Sequence, residues 1–163
     1  MATVLVAYAS KHGATREIAQ WIAEALERMG VTAPVLPADE VGDLEGIDAV
    51  VIGGPLYVGR VLKPVSSFFS HHRAALGTIP VALFLSGTLI ASGDARQDER
   101  GRAIAEKIHQ GVPIAALALF GGRFSARQVP VVGRLFPGAE QKDTRDRPTI
   151  EAWAEALPIR FGL

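Results

Sequence analysis

The sequence predicts an α/β fold, a doubly wound five-stranded parallel sheet with helices on both faces. Three observations predict it. Short, nearly continuous apolar runs recur along the chain, as in strands buried on both faces. Segments of helical period separate them, and such alternation argues for a parallel sheet covered on both sides. A small, hydroxyl-bearing turn joins the first strand to the first helix, at the end of the sheet where ligands of such folds bind.

The elements follow in order. Val4–Tyr8 is the first apolar run. Thr15–Met29 then places Ile18, Trp21, Ile22, Ala25 and Leu26 on one stripe and Glu17, Gln20, Glu24 and Glu27 off it, and Gly30 ends it. Val31–Leu36 reads as a weaker strand, and Pro34 inside it marks an edge. Ala38–Gly46 leaves room for only a short helix or none. Ala49–Ile52 is the third strand, and Pro64–Leu76 is a helix with proline in its first turn and Val65, Phe68 and Phe69 inside. Val81–Leu85 precedes the helix Ala95–Gln110, which has Asp94 as its N-cap and Gly111 as its stop. Ile114–Phe120 is the last strand, and Thr149–Leu157, after Pro148, is the last helix. One long irregular stretch, Gly121–Arg147, remains. A loop of that length inside a compact domain carries function or is disordered.

Composition bounds the chemistry. A chain of 163 residues fits a single domain, and 48% apolar with 21% charged residues is ordinary globular usage. No cysteine is present, which removes disulfides, thiolate metal sites and cysteine nucleophiles. His12, His71, His72 and His109 do not form a metal-ligand spacing. The pair His71-His72 and His109 read as partners of helix C-terminal dipoles. The formal net charge of zero argues against a nucleic-acid binder, which should be basic, and against a strongly acidic electron carrier. No run reaches the roughly 18–20 apolar residues of a membrane span. No signal peptide is read before the first strand, so the expected location is cytoplasmic.

The turn Ala9-Ser10-Lys11-His12-Gly13-Ala14-Thr15 suits an anion. Backbone N–H groups at a helix start, together with the helix dipole, favour a phosphate. The Ser10 and Thr15 hydroxyls are further donors, and Gly13 lets the backbone approach closely. Neither G-x-G-x-x-G nor G-x-x-x-x-G-K-[ST] is present, and a phospho-receiver would need carboxylates where Ser10 and Gly53 stand. Ser10-x-His12-Gly13-x-Thr15 resembles the flavodoxin signature T/S-x-T-G-x-T, with His12 in place of a hydroxyl residue. The resemblance implies a flavodoxin-like sheet of strand order 2-1-3-4-5. It also implies FMN held by Ser10, Lys11, His12, Gly13, Ala14 and Thr15.

Two further loops then belong to the flavin ring by the same resemblance. Pro55, Leu56, Tyr57, Val58 and Gly59 follow the third strand, with Tyr57 stacking on the ring. Gly53-Gly54 reads either as a close approach to the ring or as a tight strand exit. Ser86, Gly87, Thr88 and Leu89 follow the fourth strand and would meet the pyrimidine edge with backbone N–H groups. This loop lacks an aromatic residue, so Leu89 or Ile90 covers that face or leaves it open to a substrate.

Within that superfamily the chain is most similar to the menaquinone-dependent protoporphyrinogen oxidase (dehydrogenase) family. Gly13-Ala-Thr-Arg-Glu-Ile-Ala19, Tyr57-x-Gly59 and Gly138-x-Glu140-x-x-Asp143-Thr144-Arg145 followed by Trp153 carry the resemblance. It implies an oxidoreductase that takes electrons from a protoporphyrinogen-like substrate and passes them to a quinone. Arg123, Arg127 and Arg134 would hold substrate carboxylates. The 121–137 segment, with its apolar run Val129–Phe136, would make peripheral contact with the inner membrane face, or fold back onto its own domain. Lys142–Arg147 reads as a solvated turn. The alternatives are a one-electron carrier of flavodoxin type and a binding module without flavin.

Overall fold

The computed structural model describes residues 1–57, 59–125 and 141–163. The main sheet contains β1 (Val4–Tyr8), β2 (Val35–Pro37), β3 (Ala49–Tyr57), β5 (Val81–Ser86) and β6 (Ala116–Phe120), all parallel, in the order β2-β1-β3-β5-β6. A two-residue strand, β4 (Arg60–Val61), pairs antiparallel with the end of β3. With β4 set aside, this is the 2-1-3-4-5 order expected from the sequence. A separate hairpin joins β7 (Arg123–Ser125) to β8 (Gln141–Asp143). The helices are α1 (Ala14–Arg28), α2 (Lys63–His71), α3 (Arg73–Leu76), α4 (Ala95–Ile108), α5 (Arg147–Glu155) and α6 (Leu157–Phe161).

Strand alternation divides the core in two. Val4, Val6, Val51, Ala82, Phe84 and Phe120 face α1, α5 and α6 through Ile18, Ile22, Leu26, Ile150 and Leu157. Leu5, Ala7, Val50, Ile52, Leu83 and Leu85 face the other way, onto Val65, Phe68 and Phe69 of α2 and Ala105 and Ile108 of α4. Because β1 lies between β2 and β3, the chain leaves it first to one side and then to the other. The carboxyl ends of β1 and β3 therefore flank the crevice where such sheets take their ligands.

Several boundaries move for identifiable reasons. The second strand is Val35–Pro37, reached through a single bridge between Thr3 and Thr32. Val6 N–H donates to the Pro34 carbonyl, so this ladder does not call on the N–H that proline lacks. Only a 3₁₀ turn, Ala38–Glu40, follows it. The expected helix Pro64–Leu76 breaks at His72, whose ring lies 4.6 Å from that of Phe68 and is buried. Burial first, and His71 next, lower the His72 pKa, so it is a core imidazole rather than a charged dipole partner. The last strand begins at Ala116 rather than Ile114, and Leu117 on it is exposed, as befits an edge. Asp94 caps α4 as expected, accepting from Arg96 N–H at 2.9 Å.

The third strand extends five residues beyond Ile52. Gly53 and Gly54 neither exit the strand nor open it to a ligand. A Cβ on Gly53 would stand 2.5 Å from Phe84 Cγ, and one on Gly54 2.7 Å from Val65 Cγ2. These glycines make room for neighbours that cover the sheet, so the ladder to β5 continues to Pro55 opposite Ser86.

Candidate functional site

The turn after β1 is tied locally. Ala9 N–H donates to the Gly53 carbonyl at 3.0 Å, and Gly13 N–H donates to Ser10 Oγ at 3.0 Å. Gly13 caps α1 at φ 87°, a left-handed conformation that glycine adopts without strain. Among the described residues, the N–H groups of Ala14, Thr15 and Arg16 find no acceptor, while Glu17 N–H returns to the Gly13 carbonyl. These are the orphan donors of a helix start, on the positive end of a 15-residue dipole. Ser10, His12, Gly13 and Ala14 are partly exposed and Lys11 is exposed. Thr15 is buried, and its Oγ1 lies 3.3 Å from Ser86 Oγ, also buried, which fastens the helix start to the end of β5.

The neighbouring segments complete the crevice. Pro55, Leu56 and Tyr57 form a strand rather than a loop, with Leu56 opposite Val61 and Tyr57 opposite Arg60 across the hairpin. Gly59 turns that hairpin at φ 73°. Val58 lies outside the described residues. Tyr57 is half-buried, burial pushes its phenol above the usual range, and its ring meets the edge of His12 with centroids 6.5 Å apart. The first and second loops thus touch. In the third, Gly87 N–H is already committed to the Phe120 carbonyl at 3.0 Å, while among the described residues Thr88 and Leu89 N–H have no acceptor. Leu89 is 61% exposed, whereas Ile90 is buried in the core.

The β7–β8 hairpin, which no local pattern in the sequence predicts, brings Arg123 and Arg145 to the start of α1. A Cβ on Gly121 would stand 2.8 Å from Thr144 Oγ1 and overlap its carbonyl. One on Gly122 would come 2.9 Å from Gly87 Cα. Gly121 therefore lets the segment after β8 pack onto the end of β6, and Gly122 lets the hairpin close against the third loop. Arg145, expected in a solvated turn, has a side chain only 6% exposed. It grips Asp143 through Nε at 3.0 Å and Nη2 at 2.9 Å. Its Nη1 reaches the Ala14 carbonyl at 3.3 Å and Glu17 Oε2 at 3.5 Å, and its guanidinium covers Trp21 at 4.8 Å. Arg123 sits beside the same turn, with Nη1 3.0 Å from Glu17 Oε1 and Nη2 3.4 Å from the His12 carbonyl. Arg127 and Arg134, with most of the 121–137 segment, lie outside the described residues. The sequence signals for this clamp are the Gly121-Gly122 pair directly after a strand and the Asp143-x-Arg145 spacing.

Hydrogen bonding from Arg145 holds the Asp143 carboxyl below its ordinary range. A depressed folded pKa stabilises the native state above the unfolded value, about 3.9, and that contribution disappears as pH falls through the folded value. The stability gap between the natural chain and Asp143→Asn, measured by urea unfolding, is therefore expected to be open at neutral pH and to narrow below about pH 4. A gap of constant size across that range would contradict the assignment.

No group of three or more metal-ligating side chains is found among the described residues. No described helix is long and apolar enough to cross a membrane.

The model of the flavodoxin domain family matches residues 5–137. Protoporphyrinogen IX dehydrogenase (quinone) of Escherichia coli strain K12 is 29% identical over 105 residues, which are 63% of this chain and 58% of that protein. Among solved structures, a flavodoxin from Pseudomonas aeruginosa superposes with a TM-score of 0.60 at 13% identity, covering 99% of each chain. The flavodoxin of Megasphaera elsdenii does so with a TM-score of 0.58 at 19% identity, covering 94% of this chain and 96% of its own. These two likenesses concern the fold.

Proposed function

This chain belongs to the flavodoxin domain family, and we propose on that footing that it binds FMN and works as an oxidoreductase. One observation carries the reading. The N–H groups of Ala14, Thr15 and Arg16 stand at the start of α1 without acceptors among the described residues, at the switch point of the sheet. That donor set fits a phosphate monoester, which offers acceptors only. Ser10 and His12 line the same turn, and Lys11 adds a cation at its exposed rim. Tyr57, half-buried beside His12, offers the ring an aromatic face. The N–H groups of Thr88 and Leu89 are the donors left for a pyrimidine edge, since Gly87 has given its own to Phe120. Bound FMN would supply the hydride or electron acceptance that no side chain here can perform.

For substrate, the proposal is a protoporphyrinogen-like molecule with a quinone as acceptor. It is supported by the similarity to the dehydrogenase of Escherichia coli, of whose length the matching segment spans 58%. Leu89 leaves an apolar side chain in solvent at one flank of the crevice, where a large flat substrate could cover it. Arg127 and Arg134 remain proposed ligands of substrate carboxylates on sequence grounds, as does peripheral membrane contact through 121–137.

Titration of the flavin-free protein with FMN tests the first part. The expected result is quenched flavin fluorescence together with a rise in melting temperature. A ligand at a hundred times its Kd adds about 2.7 kcal/mol of stability. Unchanged fluorescence and an unmoved melting point at saturating FMN would end the proposal. Protoporphyrinogen turnover with a menaquinone analogue tests the second part. FMN binding without turnover would leave an FMN oxidoreductase of another substrate, and a blue semiquinone accumulating on dithionite reduction would favour the carrier.

A further inference from the structure

The β7–β8 hairpin brings two arginines to one helix start, and the two are built differently. Arg145 is fixed: it is nearly buried, and it is engaged by Asp143, Glu17, the Ala14 carbonyl and the Trp21 ring. Arg123 is held at two points only among the described residues. One is an ion pair on Nη1, and the other is a long contact of 3.4 Å on Nη2. Its side chain is about one-third exposed, at 32%. A guanidinium carries five N–H donors, so most of its capacity is not committed to these partners. Its Nη2 lies 4.0 Å from the position a Cβ on Gly13 would take, beside the turn that leads into the N–H groups of Ala14–Arg16.

Those backbone donors carry no net charge. A phosphate monoester bears between about 1.5 and 2 negative charges at neutral pH. Partly removed from water, it needs a counter-charge. The planar guanidinium fork matches phosphate oxygens better than an ammonium does. Glu17 meanwhile stands in the first turn of α1 and divides its carboxylate between the two arginines, Oε1 to Arg123 and Oε2 to Arg145. It is thus an anion competing for the same guanidinium. Arg145 is secured by Asp143 regardless of Glu17, whereas the salt bridge of Arg123 among the described residues is to Glu17, and Asp143, opposite it across the hairpin, adds only a longer-range attraction.

We propose that Arg123 is a charged ligand of the flavin phosphate, and that Glu17 sets the affinity of that contact by competing for it. This rests on the FMN reading above. It moves Arg123 from a substrate-carboxylate role to the cofactor.

The test compares FMN with riboflavin, which has the same ring and no phosphate. Both are titrated by fluorescence quenching into the natural chain and its variants. Arg123→Gln is expected to weaken FMN about tenfold or more while leaving riboflavin within about twofold. It should also flatten the salt dependence of FMN binding. Arg123→Lys, which keeps the charge without the fork, should fall between. Glu17→Gln is expected to tighten FMN by about threefold and leave riboflavin unmoved. A merely structural Arg123 would lose both ligands together in Arg123→Gln, and it would give no gain in Glu17→Gln. Either result overturns the proposal, as does an Arg123→Gln protein that binds FMN normally. A natural chain that binds neither flavin overturns it together with the FMN reading. A natural chain that binds FMN, with variants that keep its preference over riboflavin, overturns it alone.

Discussion

Gly53→Ala is expected to lower stability by about 3 kcal/mol, the upper part of the range for overpacking a core. In most strands the same change is harmless or helpful, because alanine gives up less backbone freedom on folding than glycine. Here the added methyl collides with a ring. A Cβ on Gly53 would stand 2.5 Å from Phe84 Cγ, with two further ring carbons nearer still. Phe84 is fully buried, so its ring has no solvent to swing into. Behind it Phe120 packs with centroids 6.0 Å apart, and Phe120 in turn meets Trp153 at 5.4 Å. The strain therefore passes across the core to α5 or stays in the sheet. At about 2–4 °C per kcal/mol for a chain of this size, the melting temperature should fall by roughly 6–12 °C. Phe84→Leu in the same chain should recover part of the loss, a coupling that a double-mutant cycle measures. A Gly53→Ala protein as stable as the natural one would mean that the ring does not lie over Gly53.

Arg145→Met is expected to cost about 2–4 kcal/mol and to loosen the β7–β8 hairpin before the rest of the fold. Breaking a buried ion pair from one side is costly, since the remaining partner loses its counter-charge. The partners here are half in water, Asp143 at 47% and Glu17 at 41% exposure, so the loss lies at the lower end of that class. Met fills much of the volume over Trp21 and isolates the electrostatic part. Arg145→Lys should not rescue it, because an ammonium cannot span both carboxylate oxygens of Asp143 while covering the indole. Hydrogen exchange reads the local effect. Thr144 N–H, which donates to the Gly122 carbonyl at 2.8 Å, should lose protection, while the amides of β1 and β3 keep theirs. Equal loss at all of these sites would make the clamp a part of global stability rather than a local fastener.

The two variants mark the border of what could be read in advance. Val4–Tyr8 and Val81–Leu85 were legible as strands because a strand covered on both faces must be apolar at every position. The α1 stripe from Ile18 to Leu26 was legible because one helix face must be apolar and the other need not be. The turn between them was legible because a helix start always leaves donors for an anion. Gly53 was misread, since a glycine demanded by an overlying ring looks in sequence like a glycine demanded by a turn or a ligand. Arg145 was misread for a similar reason. Lys142–Arg147 has the composition of a solvated turn, and nothing local reveals the indole of Trp21 or the carboxylate of Glu17 that the fold brings to it.

What the sequence determined by itself, then, is the sheet, its covering helices and the glycine-bearing turn at the start of α1, all of which follow from patterns within about fifteen neighbouring residues. Only the tertiary structure decided which glycines give room to side chains, that Arg145 alone of the Lys142–Arg147 segment is withdrawn from solvent, and where Arg123 comes to rest. Arg123 and Glu17 are separated by 106 positions in the chain and by 3.0 Å in space. An ion pair of that kind depends on how the hairpin packs, and periodicity carries no record of it.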